Sequence, residues 1–118
     1  MLRITKKLIK NAFPQLWIEA ALKVRKGHFE RELYLVPLFC SKRHMAVDVG
    51  ANQGVYTYVM SKYAGKVISF EPNSLLLKSL KKVAGCNVMV KSEALSNEPG
   101  VTVLRIDPSN PRRVLVDR

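Results

Sequence analysis

The chain has 118 residues, enough for one domain with a buried core and too few for two. Its 47% hydrophobic and 25% charged residues exclude an intrinsically disordered chain, and no apolar run approaches the roughly 20 residues of a membrane-spanning helix. The formal charge of +11 is unevenly spread: residues 1–44 hold ten Lys and Arg against three Glu (net +7), and residues 45–118 hold ten against six acids (net +4).

A basic surface of this kind attracts nucleic acid, anionic lipid or acidic substrates without choosing among them. Cys40 and Cys86 stand far apart and suggest no disulfide framework, which fits a reducing compartment. The short apolar stretch 12–18 is interrupted by Pro14 and Gln15 and carries no small-residue cleavage site, so it does not read as a secretory signal. The expectation is a cytoplasmic protein.

In chain order, residues 2–10 form an amphipathic turn or two, with Leu2, Leu8 and Ile9 opposed to Lys6, Lys7 and Lys10. Such a segment suits either a basic terminus capping the domain or an anionic membrane surface. Residues 16–24 resume a helical pattern through Trp17, Ala20, Ala21 and Val24. Residues 30–39 predict a further helix, weakened at Pro37, with Leu33, Val36 and Phe39 turned to a sheet.

From Met45 the pattern becomes alternating strand and helix. Residues 45–49 are a strand, and 53–63 a helix with Val55, Tyr56, Val59, Met60 and Tyr63 inward, stopped by Gly65. Residues 66–70 are a second strand. Asn73 or Ser74 caps a helix whose Leu76, Leu80 and Val83 form a stripe opposite Lys78, Lys81 and Lys82; residues 87–91 are a third strand. Short right-handed crossovers make a parallel sheet in the order 3-2-1, with helices on both faces. A strand at 101–106 and a short one at 114–116 follow. The division expected is a basic helical segment, 1–44, and a partial α/β domain, 45–118. The first strand's free edge is then an apolar liability, open to self-association unless later segments cover it.

The chemistry gathers at Ala46-Val47-Asp48-Val49-Gly50-Ala51-Asn52-Gln53-Gly54 and at Phe70-Glu71-Pro72. A strand, a glycine turn and a helix N-terminus cradle a nucleotide-like ligand, and an acid at the next strand's tip takes ribose hydroxyls. A nicotinamide site prefers G-x-G-x-x-G, whereas Gly50 and Gly54 stand as G-x-x-x-G with Asp48 two residues ahead. This suits S-adenosylmethionine better: the helix N-terminus takes its carboxylate and an acid near the turn attracts its ammonium. Glu71 follows Gly50 by 21 residues, a ribose-acid spacing, and Pro72 offers adenine an apolar face. Asn52 tolerates a left-handed backbone, and Glu93 with Ala94 reaches the adenine rim. Against this, Asp48 and Gly50 also suit a plain strand-end turn, and Glu71 a solvated loop acid. Cys40, His44, His28 and Cys86 would all have to converge for a closed zinc site, and no metal is expected. Tyr56 and Tyr58 flank the helix start, where one lines a pocket or both pack in the core.

With those residues in view, the chain resembles the FkbM-type family of S-adenosylmethionine-dependent methyltransferases. The likeness rests on DVGANQGVYTY, VISFEPN and NVMVKSEALSNEPG, and covers about residues 30–106. The resemblance implies a Rossmann-like class I methyltransferase fold and methyl transfer to a hydroxyl of a sugar or secondary metabolite. It implies cofactor roles for Asp48, Gly50, Asn52, Gly54, Glu71, Glu93 and Ala94, and the adjoining Ala51 and Pro72 belong to the same expected site. Family members continue with a K-x-D-x-E-G strand that residues 107–118 do not match, so a truncated form is expected, with no catalytic base identified. The alternative is a non-catalytic cofactor-binding fragment, or a basic one that holds an acidic partner.

Overall fold

The computed structural model describes residues 2–24 and 29–115. His28 and Val116 lie outside the described residues. Two helices open the chain, α1 (Leu2–Ala12) and α2 (Pro14–Val24). A 3-10 segment, Arg31–Leu35, then passes into the single turn α3 (Val36–Phe39). One continuous helix was expected here. Pro37 has no amide to continue the ladder, so hydrogen bonding restarts at this point. Leu33 and Val36 are buried as expected, while Phe39 faces solvent.

The α/β part runs β1 (Met45–Val49), α4 (Val55–Tyr63), β2 (Lys66–Phe70), α5 (Ser74–Val83) and β3 (Val88–Lys91). The three strands are parallel, with β2 central, so the open Rossmann-like sheet has the order the sequence predicted. Asn73 caps α5 by accepting from the Leu75 amide at 3.0 Å, and Leu76, Leu80 and Val83 form its buried stripe. Helix α4 begins two residues later than expected and buries Thr57, Tyr58 and Val59, leaving Tyr63 exposed. Its polar groups can turn inward because each finds a partner. Thr57 meets Asp48 and Ser69, and the Tyr58 hydroxyl donates to Glu19 Oε1.

Only β4 (Arg105–Ile106) forms from the expected strand at 101–106. It pairs antiparallel with β5 (Val114–Leu115), while Val101 and Val103 stand exposed. Ile18, Leu33 and Val36 share one core with Ala51, Tyr58, Val59, Leu80 and Val83, so the N-terminal helices and the sheet helices pack together.

Both crossover helices lie on the same face of the sheet. Thr57 of α4 reaches Asp48 and Ser69, and Val90 packs against the cluster containing Leu80 and Val83 of α5. Helices on both faces were expected; among the described residues the other face has none. Two successive right-handed crossovers in the same direction put both helices on one side. The open face carries Met45, Val47 and Val49 beside Ile68, Phe70 and Met89 in register.

Candidate functional site

The turn between β1 and α4 is built on three left-handed residues: Gly50 at φ 73°, Asn52 at φ 52° and Gly54 at φ 86°. A β-carbon costs about 1–2 kcal/mol in that region, except that Asn is tolerated there. The turn folds back on β2. The Gly50 and Ala51 amides both donate to the Phe70 carbonyl, at 2.9 and 3.0 Å. The Asn52 amide donates to Glu71 Oε2 at 2.8 Å, and the Asn73 amide donates to Glu71 Oε1 at 2.8 Å. Glu71 is therefore a bridge between the glycine turn and the start of α5, and only 5% of it is exposed.

Gly54 has a second reason to be glycine. A β-carbon there would clash with Val83 Cγ2 and lie 2.7 Å from Leu80 Cδ1, so its absence lets α4 approach α5. At Gly50 a β-carbon would meet nothing within 4 Å, because that residue faces open space.

Asp48, also nearly buried, accepts from Thr57 Oγ1 at 2.6 Å, and Thr57 Oγ1 lies 2.8 Å from Ser69 Oγ. Burial pushes the Asp48 carboxyl above the usual carboxylate range. The Thr57 bonds oppose this and the nearby Glu71 charge adds to it.

Above the turn lies a cleft of about 710 Å³, a size that suits a small molecule or cofactor. Asp48, Gly50, Ala51 and Asn52 form one wall, α1 and α2 contribute Lys10 and Trp17, and α5 contributes Lys82. Arg112 closes a further side. Lys10 donates to Gln53 Oε1 at 3.2 Å, and its ammonium sits 4.5 Å from the Trp17 ring centroid. Burial, then the charge of Arg112, lower the Lys10 pKa. Tyr56 lines the cleft and donates to Glu30 Oε2 at 2.8 Å. Burial and that carboxylate push its phenol up to about 12, so at neutral pH it is a donor and not a base.

Of the residues singled out in the sequence, Asp48, Gly50, Ala51 and Asn52 come together on the cleft wall. Glu71 sits behind the turn, Gly54 against α5, and Pro72 beside Glu71 without lining the cleft. Glu93 and Ala94 lie in the exposed segment after β3, away from the cleft lining. Tyr56 and Tyr58 divide the two roles weighed for them: Tyr56 lines the cleft and Tyr58 packs in the core. Lys10, Trp17, Glu30, Lys82 and Arg112 were not recognised as cleft residues from sequence. They come from segments up to about a hundred residues apart with no shared motif, and the charge excess of residues 1–44 was the only hint. His44 Nδ1 lies 2.9 Å from Ser41 Oγ, and no three metal-ligating side chains converge among the described residues.

An open parallel sheet with a glycine turn and a buried acid at its carboxyl end defines a Rossmann-like α/β domain with a ligand cleft at the usual end. No protein-family model matches the chain, and no curated protein matches it. Among solved structures it is similar to the crystal structure of tRNA (m1A58) methyltransferase TrmI from Aquifex aeolicus, with 24% identity and a TM-score of 0.48. The match covers 61% of this chain, which spans 35% of the length of that one.

Proposed function

We propose that the chain binds S-adenosylmethionine and serves as the cofactor-binding part of a methyltransferase. The observation that carries this reading is the left-handed set Gly50, Asn52 and Gly54, tied by Glu71 to the tip of β2 and opening on a cleft. The donor set fits the cofactor. Asp48 is a buried acid at the cleft wall for an ammonium, and the start of α4 offers amides that precede its first backbone bond, Tyr58 to Gly54, for a carboxylate. Glu71, behind the turn and with each oxygen accepting one amide, shapes this wall of the cleft without lining it. When bound, the cofactor supplies an activated methyl group on a sulfonium.

The chain's own residues bind and orient. Thr57, itself bonded to Ser69, donates to Asp48 and holds its carboxylate, and Glu71 holds the turn through the Asn52 amide. The likeness of DVGAN and FEPN to the FkbM-type family supports an acceptor hydroxyl on a sugar or secondary metabolite. Alignment of acceptor oxygen with the methyl carbon is then the main catalytic requirement.

Calorimetric titration with S-adenosylhomocysteine tests the reading. Saturable one-to-one binding, weakened at least about tenfold by Asp48→Asn, is expected, since a charge-assisted bond is worth roughly 1.5–3 kcal/mol. Absence of binding by a folded, monodisperse sample overturns it.

A further inference from the structure

Helix α1 is turned the unusual way round. An amphipathic surface helix normally sets its apolar stripe on the core and its charges in water. Here Lys10 of the basic side faces the protein, while Lys6 and Lys7 stay exposed. Lys10 reaches Gln53 and the Trp17 ring, Lys82 donates to the Asn11 carbonyl at 3.1 Å, and Lys6 and Lys7 border a groove lined by Trp17, Ala20 and Val24. The apolar side faces outward: Leu8 is 62% exposed, Ile9 49%, Phe13 60% and Leu16 63%.

Positions 9, 13 and 16 follow the i, i+4 and i+7 spacings of one helical face, and the exposed Leu8 stands at its margin beside Ile9. The Phe13 amide donates to the Ile9 carbonyl and the Trp17 amide to the Phe13 carbonyl, so Phe13 is bonded to both helices although Pro14, with no amide, interrupts the ladder between α1 and α2. A contiguous exposed apolar stripe on a chain this small marks an interaction surface.

We propose that this stripe docks the protein on the surface of an anionic lipid bilayer. The apolar residues enter the headgroup boundary, and the positive charge around them draws the helix to the leaflet. The charge argument selects this occupant. Residues 1–44 are net +7, and Lys6 and Lys7 are exposed and within a turn of the stripe. Lysines within about a Debye length of roughly 8 Å feel a negative leaflet at physiological salt. No covalent step is involved, and the proposal is independent of the cofactor reading.

The test is co-sedimentation of the full chain with vesicles of phosphatidylcholine alone and of phosphatidylcholine mixed with phosphatidylserine. Partitioning at least about tenfold stronger on the mixed vesicles is expected, since each basic residue near the surface contributes about 1 kcal/mol. Leu8→Ser combined with Phe13→Ser is expected to abolish partitioning without changing the circular dichroism spectrum or the thermal unfolding midpoint, because both side chains are exposed. Lys6→Glu combined with Lys7→Glu is expected to remove the preference for phosphatidylserine. Equal partitioning on both vesicle types, or none by folded protein, overturns the proposal. So does a dimer in solution that the Leu8→Ser, Phe13→Ser variant converts to monomer, since a second copy would then cover the stripe.

Discussion

Glu71 Oε2 accepts the backbone amide of Asn52 at 2.8 Å, and through that bond the tip of β2 sets the shape of the turn that follows β1. Its other oxygen takes the Asn73 amide, so one carboxylate fixes both the cleft wall and the entry to α5. The residue expected to hold a ligand is thus also part of the scaffold that shapes the ligand's seat.

Removing that carboxylate therefore has two consequences. Glu71→Ala leaves two amides without their acceptor and is expected to cost about 3 kcal/mol, given roughly 1–3 kcal/mol for each buried group left unsatisfied. Glu71→Gln keeps one acceptor oxygen and should cost about half as much. Urea unfolding measures both. A cost below about 0.5 kcal/mol for the alanine variant would show that the bridge does not stabilise the turn.

Gly50 and Gly54 are both left-handed but should respond differently to alanine. At Gly50 the penalty is conformational alone, about 1–2 kcal/mol. At Gly54 the new methyl also meets Val83 and Leu80, adding about 1–3 kcal/mol of overpacking. Chemical denaturation of the two variants side by side should place Gly54→Ala clearly below Gly50→Ala, and equal midpoints would contradict the close approach of α4 and α5.

Asn73 caps α5 through its side-chain oxygen, while its Nδ2 donates to the Pro111 carbonyl at 2.8 Å. Asn73→Asp keeps the cap and loses the tether; Asn73→Ala loses both. The alanine variant is expected to cost about 2 kcal/mol, from roughly 1 for the cap and 1 for the tether. Amide hydrogen exchange in the β4–β5 hairpin should accelerate in both variants. Protection unchanged in Asn73→Asp would show that Pro111 is not held by this bond.

Asp48 is costly to the fold in its charged form. Its folded pKa is raised by burial, so the stability linked to it is present at pH below the unfolded value near 3.8 and is lost as pH rises through the folded value. Asp48→Asn should accordingly be more resistant to urea than the parent at pH 7, with the gap closing as pH falls towards 3. Such an outcome, with weaker S-adenosylhomocysteine binding, would mark an acid kept for binding at some expense in stability. A variant less stable than the parent at pH 7 would mean that the bonds from Thr57 outweigh burial.

Much of this molecule was already readable in local pattern. Short apolar runs in alternation with helical stripes placed the three strands, and right-handed crossovers ordered them 3-2-1. The cap of α5 was narrowed to Asn73 or Ser74, and Asp48-Val49-Gly50 and Phe70-Glu71 announced that turn and acid would meet at one end of the sheet. Tertiary structure decided the rest, because those features depend on partners distant in sequence. Thr57 turns inward only because Asp48 and Ser69 await its hydroxyl, and the close-packing reason for glycine at position 54 exists only because Leu80 and Val83 arrive there. Lys10, Lys82 and Arg112 share a cleft through packing no local pattern encodes. The segregation of Leu8 and Ile9 from Lys6 and Lys10 is written in the sequence. Which side of that helix meets the protein is not, since amphipathicity defines two faces and only the packing of α1 on α2 chooses between them.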